Sequence, residues 1–487
     1  MKKYISIILF FTLTINIWAQ QNNTMYYMHR LPQSTLLNPA IQPGCKLTIS
    51  GLAIPLFGQL FPAIHTNVGS NGFAYKDFVQ YSSAMDSLMI PTSEGYDYEH
   101  LLSKLKKINY LTFEEHLDLL SVGYQLNKDW RITFNIAEKT ETRFNFSKDI
   151  MQFIADGGNG ASFSGETALF NLGLTLTQWH EIGIGASKKI DNRWTVGARA
   201  KLLFGIVNIW SEKSDFTWHT DATDYDYALE GNMKIHTSQP FYQVNEFYYD
   251  YANDSLVFDG DDLEPSPNDV VMNFSNPGAA IDLGAEYIFN DKLTLYASII
   301  DLGFIHWTTN TNTFVMEGNY DYEGYDPQPH LTEDDSIIDD YTTGKKQELI
   351  RIFLPEDNME SYNSYLSPKF HLGGTYKIND KLNVGALYRG TVFQDHLHSA
   401  FTLSGNANLN KWFTASLSYS MMYNQYTNIG LGLIARAKFM QFYVVTDNVW
   451  AAVWPQSARN FNLRLGINLV FGCVKKSSKT LVGSSDL

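Results

Sequence analysis

The sequence predicts an all-β fold: a transmembrane antiparallel β-barrel of about 14 strands, with 12 to 16 compatible with its length. Three observations predict it. The last apolar stretch alternates strictly, a tight turn recurs along the chain, and short turns at one end of the strands contrast with long polar connections at the other.

The alternation is clearest over residues 461–471. Phe461, Leu463, Leu465, Ile467, Leu469 and Phe471 take every second position, with Asn462, Arg464, Gly466, Asn468 and Val470 between them. Side chains on a strand alternate faces, so this segment has one apolar and one mostly polar face. Such a strand serves either a soluble sandwich or a barrel with lipid outside and a polar lumen.

From the N-terminus, Lys2 and Lys3 precede an apolar run over residues 4–18 that ends at Ala19, before polar Gln20 and Gln21. That pattern reads as a signal peptide over residues 1–19, so the chain is expected to be exported. No later apolar run approaches the ~18 residues of a spanning helix, so any membrane crossing uses strands. The mature unit is expected to be a barrel over residues 20–473 with a polar tail over 474–487.

A first strand is expected over residues 46–53. Residues 77–89 and 98–108 show helical spacing, and residues 146–155 read as a third short helix. A hairpin then recurs five times, around Asn127, Asp191, Asn290, Asn379 and Asn410. Asn and Asp suit such turns because they tolerate left-handed backbone. The strands leaving these turns alternate like the last one: Ile132, Phe134 and Ile136 against Arg131 and Asn135, and Val196, Ala198 and Leu202 against Gly197, Arg199 and Lys201. Tyr124, Trp130, Trp194, Tyr287, Tyr376 and Trp412 flank the turns, where a membrane-interface girdle belongs.

Connections at the opposite rim are long, near residues 211–276 and 309–366, and are expected to be extracellular loops. Residues 211–270 hold fourteen acidic residues against Lys213 and Lys234, so much of the net charge of -15 sits there. Acidic, Tyr-rich loops argue against nucleic acid as a partner. No nucleophile elbow, phosphate loop, His-Glu-x-x-His or paired-Cys motif occurs, so neither enzyme, cofactor nor metal is expected.

The two cysteines, Cys45 and Cys473, stand just before the first and just after the last strand. In a closed, even-stranded barrel these ends are neighbours, so a disulfide across the seam is one expectation and two separate thiols the other.

The Asn38-Pro39-Ala40 motif, the recurring turns, Asp447-Asn448-Val449 and residues 458–472 resemble a Bacteroidota outer-membrane β-barrel family of unknown function. That family is distantly similar to FadL-type hydrophobic-compound transporters and to PorV/PorP-type barrels linked to type nine secretion and gliding. The resemblance implies outer-membrane lipid and the barrel assembly machinery as partners.

Two functions are then expected. The first is transport or binding of a small, apolar ligand through a wet, cationic lumen lined by Arg131, Arg199, Lys201, Arg389 and Arg464 and gated by an N-terminal plug. The second is a non-catalytic platform on which Tyr-rich loops grip a secretion-system protein. A soluble secreted glycan-binding sandwich is a third reading.

Overall fold

The computed structural model describes residues 22–473 apart from 52, 55–57, 60–62, 84, 92, 159–160, 224–225, 265–272, 323–335, 394–395 and 423–424. The signal-peptide span 1–19 and the tail 474–487 lie outside the described residues.

Fourteen strands close into one antiparallel barrel. They are β1 (Cys45–Ser50, resumed over Ala63–Ser70), β2 (Ile108–Gln125), β3 (Trp130–Ser147), β4 (Thr167–Lys189), β5 (Trp194–Thr220), β6 (Pro277–Ile288) and β7 (Leu293–Trp307). The second half is β8 (Lys369–Lys377), β9 (Leu382–Phe393), β10 (His396–Ala407), β11 (Phe413–Met422), β12 (Gln425–Ala437), β13 (Met440–Thr446) and β14 (Asn460–Cys473). β14 pairs with both halves of β1, so the sheet closes on itself and the sandwich reading falls.

Alternation fixes which face meets which medium. On β14, Asn462, Arg464 and Asn468 are buried inward while Leu465 and Phe471 are exposed outside. The same parity exposes Ile184, Leu202, Leu372, Leu403 and Leu417, giving an apolar outer wall. A wall of this kind is stable only against lipid. At the short-turn rim Trp194 stacks on Tyr287 with ring centroids 4.4 Å apart, and Trp130, Tyr376 and Trp412 are exposed beside them.

The five turns share one device. In each, a side-chain oxygen accepts two consecutive backbone N–H groups: Asn127 from Asp129 and Trp130, Asp191 from Arg193 and Trp194, Asn290 from Lys292 and Leu293, Asn379 from Lys381 and Leu382, Asn410 from Trp412 and Phe413. None of the five has positive φ. The expectation of left-handed backbone is therefore corrected: Asn and Asp are selected as acceptors. The N–H groups of Trp194 and Arg193 also hold the exposed Asp191 carboxyl below its ordinary range.

Several other expectations change. The first strand stops at Ser50, where Gly51 turns left-handed at φ 70° and leads the chain out of the sheet until Ala63. Residues 77–89 are not a helix; a single turn over Tyr75–Phe78 precedes a small hairpin of Gln80–Ser82 and Ser87–Met89. The next helix spans Tyr98–Lys104 and stops before β2, and the third, Lys148–Ala155, starts after its Ser147 cap. These pieces pack Phe73, Met89, Tyr96, Leu101, Leu105, Phe146 and Met151 into a small core.

The acidic connections are largely regular structure. β5 is 27 residues long, about 90 Å at strand rise, far beyond a bilayer. Above Phe204 it leaves β6 and pairs with Tyr227–Ser238, which pairs in turn with Thr311–Tyr322. A further hairpin, Tyr242–Asp250 with Ser255–Asp262, and a helix over Ser336–Phe353 complete the raised part. One face of these strands is covered: Gly231 and Gly318 lie against Phe353 and Ile352 of the helix, and Met316 and Tyr320 are buried while Glu317 and Asp321 are exposed.

We expect Asp191→Asn to leave unfolding in urea within about 0.5 kcal/mol of the parent, since Asn fills the other four turns. Asn379→Ala removes two acceptor contacts and lowers stability by about 1 kcal/mol or more. Equal effects would contradict the acceptor role.

Candidate functional site

The lumen is occupied by the chain itself. Residues 22–44 enter the barrel before β1 and run through its interior as a succession of tight turns, Tyr26 N–H to Asn23 O, Met28 N–H to Met25 O and Leu31 N–H to Met28 O. A short 3₁₀ turn follows over Pro32–Leu36. Met25, Tyr26, Tyr27, Met28, Leu31, Leu37 and Ile41 form one buried cluster with Tyr296, Leu387, Ile434, Tyr443 and Val445 of the wall.

Polar contacts seat this plug. Gln33 bonds Asn468 of β14 at 2.8 Å and Tyr27 Oη donates to Ala386 O at 2.6 Å. The Asn38 amide donates to the carbonyls of Ala285 and Ala297 at 3.3 and 3.4 Å, and its oxygen accepts from Ala40 N–H at 3.0 Å. Pro39 and Asn38 lie directly against Gly197 and Gly284, where any Cβ would overlap them. The Asn38-Pro39-Ala40 motif is thus a backbone-to-backbone contact with β5 and β6.

Beside the plug lies a layer of ion pairs. Lys201 Nζ sits 2.6 Å from both Asp282 and Asp301, Lys369 2.9 Å from Asp301 and Glu141, and Lys139 2.7 Å from Glu181. Arg199 bonds Asp282 at 3.1 Å and donates to Thr35 O of the plug at 2.9 Å. Asp301 is aimed inward by a bulge, since the register with β6 slips between Ile281 and Leu283 and Asp301 adopts φ 61°. Arg464 pairs with Asp118 at 3.4 Å, and Asp118 also meets His116 at 3.0 Å. A 70 Å³ cavity lies within this layer, lined by Asn22 and Leu37 of the plug and by Arg199, Lys201, Arg389 and Arg464.

Towards the long-connection rim the lumen opens into a 460 Å³ vestibule. Phe393, Leu397, Met421, Met422 and Tyr426 give it apolar walls, while Arg143, Lys369, Arg389, Glu114 and Glu141 supply charge. The Arg143 guanidinium stands 4.0 Å from the Tyr110 ring centroid and 4.4 Å from that of Phe393. Its Nη1 donates to His398 Nε2 at 3.0 Å, which leaves His398 Nδ1 protonated toward Tyr110 Oη at 3.2 Å.

Of the five basic residues read as lumen-lining, Arg199, Lys201, Arg389 and Arg464 face the same small cavity. Arg131 does not; it lies at the seam and donates to Cys45 O and Thr48 Oγ1, both at 2.9 Å. Cys45 and Cys473 face each other in register there and are disulfide-bonded. The expectation of a cationic lumen is corrected, because carboxylates neutralise Arg199, Lys201 and Arg464. Asp282 was legible, standing between outward Ile281 and Leu283 in strand alternation. Asp301 was not, because its bulge breaks the period. Residues 22–44 gave no periodic signal either, since their turns follow no strand or helix period, and only Asn38-Pro39-Ala40 stood out as a motif.

Asp301→Ala leaves Lys139, Lys201 and Lys369 converging without their shared carboxylate. We expect a loss on the order of 3 kcal/mol in unfolding, read as a lowered heat-modification temperature on electrophoresis. An unchanged temperature would show that the pairs add little.

Among solved structures the chain is similar to the toluene transporter TodX of Pseudomonas putida, at 10% identity and TM-score 0.35 over 90% of this chain and 92% of that one. It is similar to a FadL homologue of Pseudomonas aeruginosa, at 11% identity and TM-score 0.35 over 90% and 91%. It is also similar to the translocator domain of the autotransporter NalP of Neisseria meningitidis, at 7% identity and TM-score 0.33 over 94% and 100%. No curated protein matches. A model of the family of unknown function DUF5723 matches residues 39–447, from the second residue of the Asn-Pro-Ala motif to Asp447 beyond β13, and the chain belongs to that family.

Proposed function

We propose that the protein is an outer-membrane β-barrel that takes a small, partly apolar ligand into the vestibule and passes it once the N-terminal plug shifts, without catalysis. The observation that carries this reading is the vestibule itself. It is a half-apolar, half-charged cavity of 460 Å³ within a closed barrel, within the usual size range of ligand sites. It is separated from the short-turn rim by residues 22–44 rather than by wall. The apolar belt supports a membrane location, and the long connections on the vestibule side support a vestibule that faces the cell exterior, by the usual barrel asymmetry.

The chemistry of the vestibule favours a ligand with an apolar body and an acidic or polar head. Phe393, Leu397 and Met421 offer apolar surface, and the Arg143 guanidinium, beside the Tyr110 and Phe393 rings, offers a cation. A role as a platform for a secretion partner has one specific support. Tyr248, Tyr251, Leu256 and Phe258 are exposed on the raised acidic hairpin, above any bilayer-spanning length of strand.

The test is saturable binding of a fluorescent single-chain carboxylate to the purified barrel. Arg143→Ala should weaken it about ten-fold or more, and lipid-facing Leu372→Ala should leave it unchanged. Absence of saturable binding, or equal loss in both variants, would overturn the ligand reading.

A further inference from the structure

The far end of the plug is held in a way that differs from the rest of it. Asp447, immediately after β13, is fully buried. One carboxylate oxygen accepts the Thr24 N–H at 2.7 Å and the Thr24 hydroxyl; the other accepts the Asn23 N–H at 3.0 Å. Among the described residues no Lys or Arg lies within ion-pair distance of it. Its own backbone N–H donates to Asn462 Oδ1, which fixes its place on the wall. Elsewhere the plug meets amides, hydroxyls and carbonyls, or donors such as Arg199; among the described residues only Asp447 grips its backbone with a carboxylate.

A buried carboxylate without a cation depends on its hydrogen-bond donors, and charge-assisted bonds of this kind are among the stronger ones. Those donors all come from residues 23 and 24. Around them the wall is cut to fit the segment. Thr24 Oγ1 also bonds Ser418 at 2.6 Å, and a Cβ at Gly430 would overlap that hydroxyl. Asn23 Nδ2 reaches Met422 Sδ at 3.8 Å, and Met422 lines the vestibule. The gripped residues therefore lie one side chain from the cavity where a ligand would arrive.

We propose that Asp447, with Ser418 and Gly430, is a backbone-binding site filled by the chain's own residues 23–24, and that this contact is the latch keeping the N-terminal segment in the lumen. Two consecutive N–H groups and a hydroxyl are what the site accepts, so its occupant is an extended peptide. A ligand pressing on Met422 from the vestibule competes with Asn23 for the same ground. This last step rests on the ligand reading above; the latch does not.

The test is accessibility of the segment in the folded, full-length barrel. A thiol introduced by Met25→Cys is fully enclosed in the parent fold, and the two native cysteines are disulfide-bonded, so a membrane-impermeant maleimide reads position 25 alone. Adding Asp447→Asn replaces an acceptor oxygen by an N–H donor facing the Asn23 or Thr24 N–H. The labelling rate should rise about ten-fold or more, with heat-modifiable migration retained. Should Asp447→Asn not fold, Thr24→Ala removes only the segment's hydroxyl and should raise the rate several-fold. Unchanged labelling in a folded barrel carrying either substitution overturns the latch, whatever carboxylate binding shows. Faster labelling with no carboxylate binding in the parent upholds the latch and overturns the ligand reading instead.

Discussion

A barrel of fourteen strands is wider than its own inward side chains can fill. Eight strands leave an interior that side chains occupy, and sixteen to eighteen leave an aqueous channel. The interior here lies between those limits, and the rest of the structure answers to that geometry. The chain fills the space with its own residues 22–44, and the wall is tailored around them. Gly197 and Gly284 let Asn38 and Pro39 touch the sheet, while Tyr26, Tyr27 and Met28 pack against Tyr296, Leu387 and Ile434 of the wall. What the plug does not fill is bridged by charge, with Asp301 drawing three lysines of the wall to one point.

The ends of the plug are tied differently. Its C-terminal end runs into Cys45, bonded to Cys473 on the last strand, so that end is joined covalently to both sides of the closing seam. Across that seam the two cysteines are 428 residues apart in sequence, and a link of this kind restricts the unfolded chain more than any local contact. Towards its other end the plug has no covalent tie among the described residues; Asn23 and Thr24 are held by hydrogen bonds and Met25 to Met28 by packing. A segment fixed at one end and reversibly held at the other, beneath a cavity open to the opposite rim, has the mechanical form of a gate.

Much of this was legible in the sequence, and the reasons divide cleanly. Where a strand separates lipid from lumen, its two faces meet media of opposite polarity, so parity placed Arg199, Lys201 and Arg464 inward and Leu202 and Leu465 outward. The turns at Asn127, Asp191, Asn290, Asn379 and Asn410 were visible because each needs a short side-chain acceptor at one position. The raised part of β5 and its partners read as loop because acidic residues crowd it, although buried Met316 and Tyr320 alternate with exposed Glu317 and Asp321 there. The charge balance was half visible: Asp282 keeps the period, whereas Asp301 sits in a bulge that only pairing with β6 reveals. The plug was invisible to periodicity, since its short turns follow no regular period and its packing partners lie on distant strands of the wall.

The central claim is that the chain's own N-terminal segment, and not the wall, closes the lumen. Conductance in a planar bilayer tests it most directly, comparing the intact barrel with one lacking residues 22–43. The account predicts that the intact barrel stays closed and the shortened one, still heat-modifiable, conducts steadily. An intact barrel that conducts as well as the shortened one would contradict it.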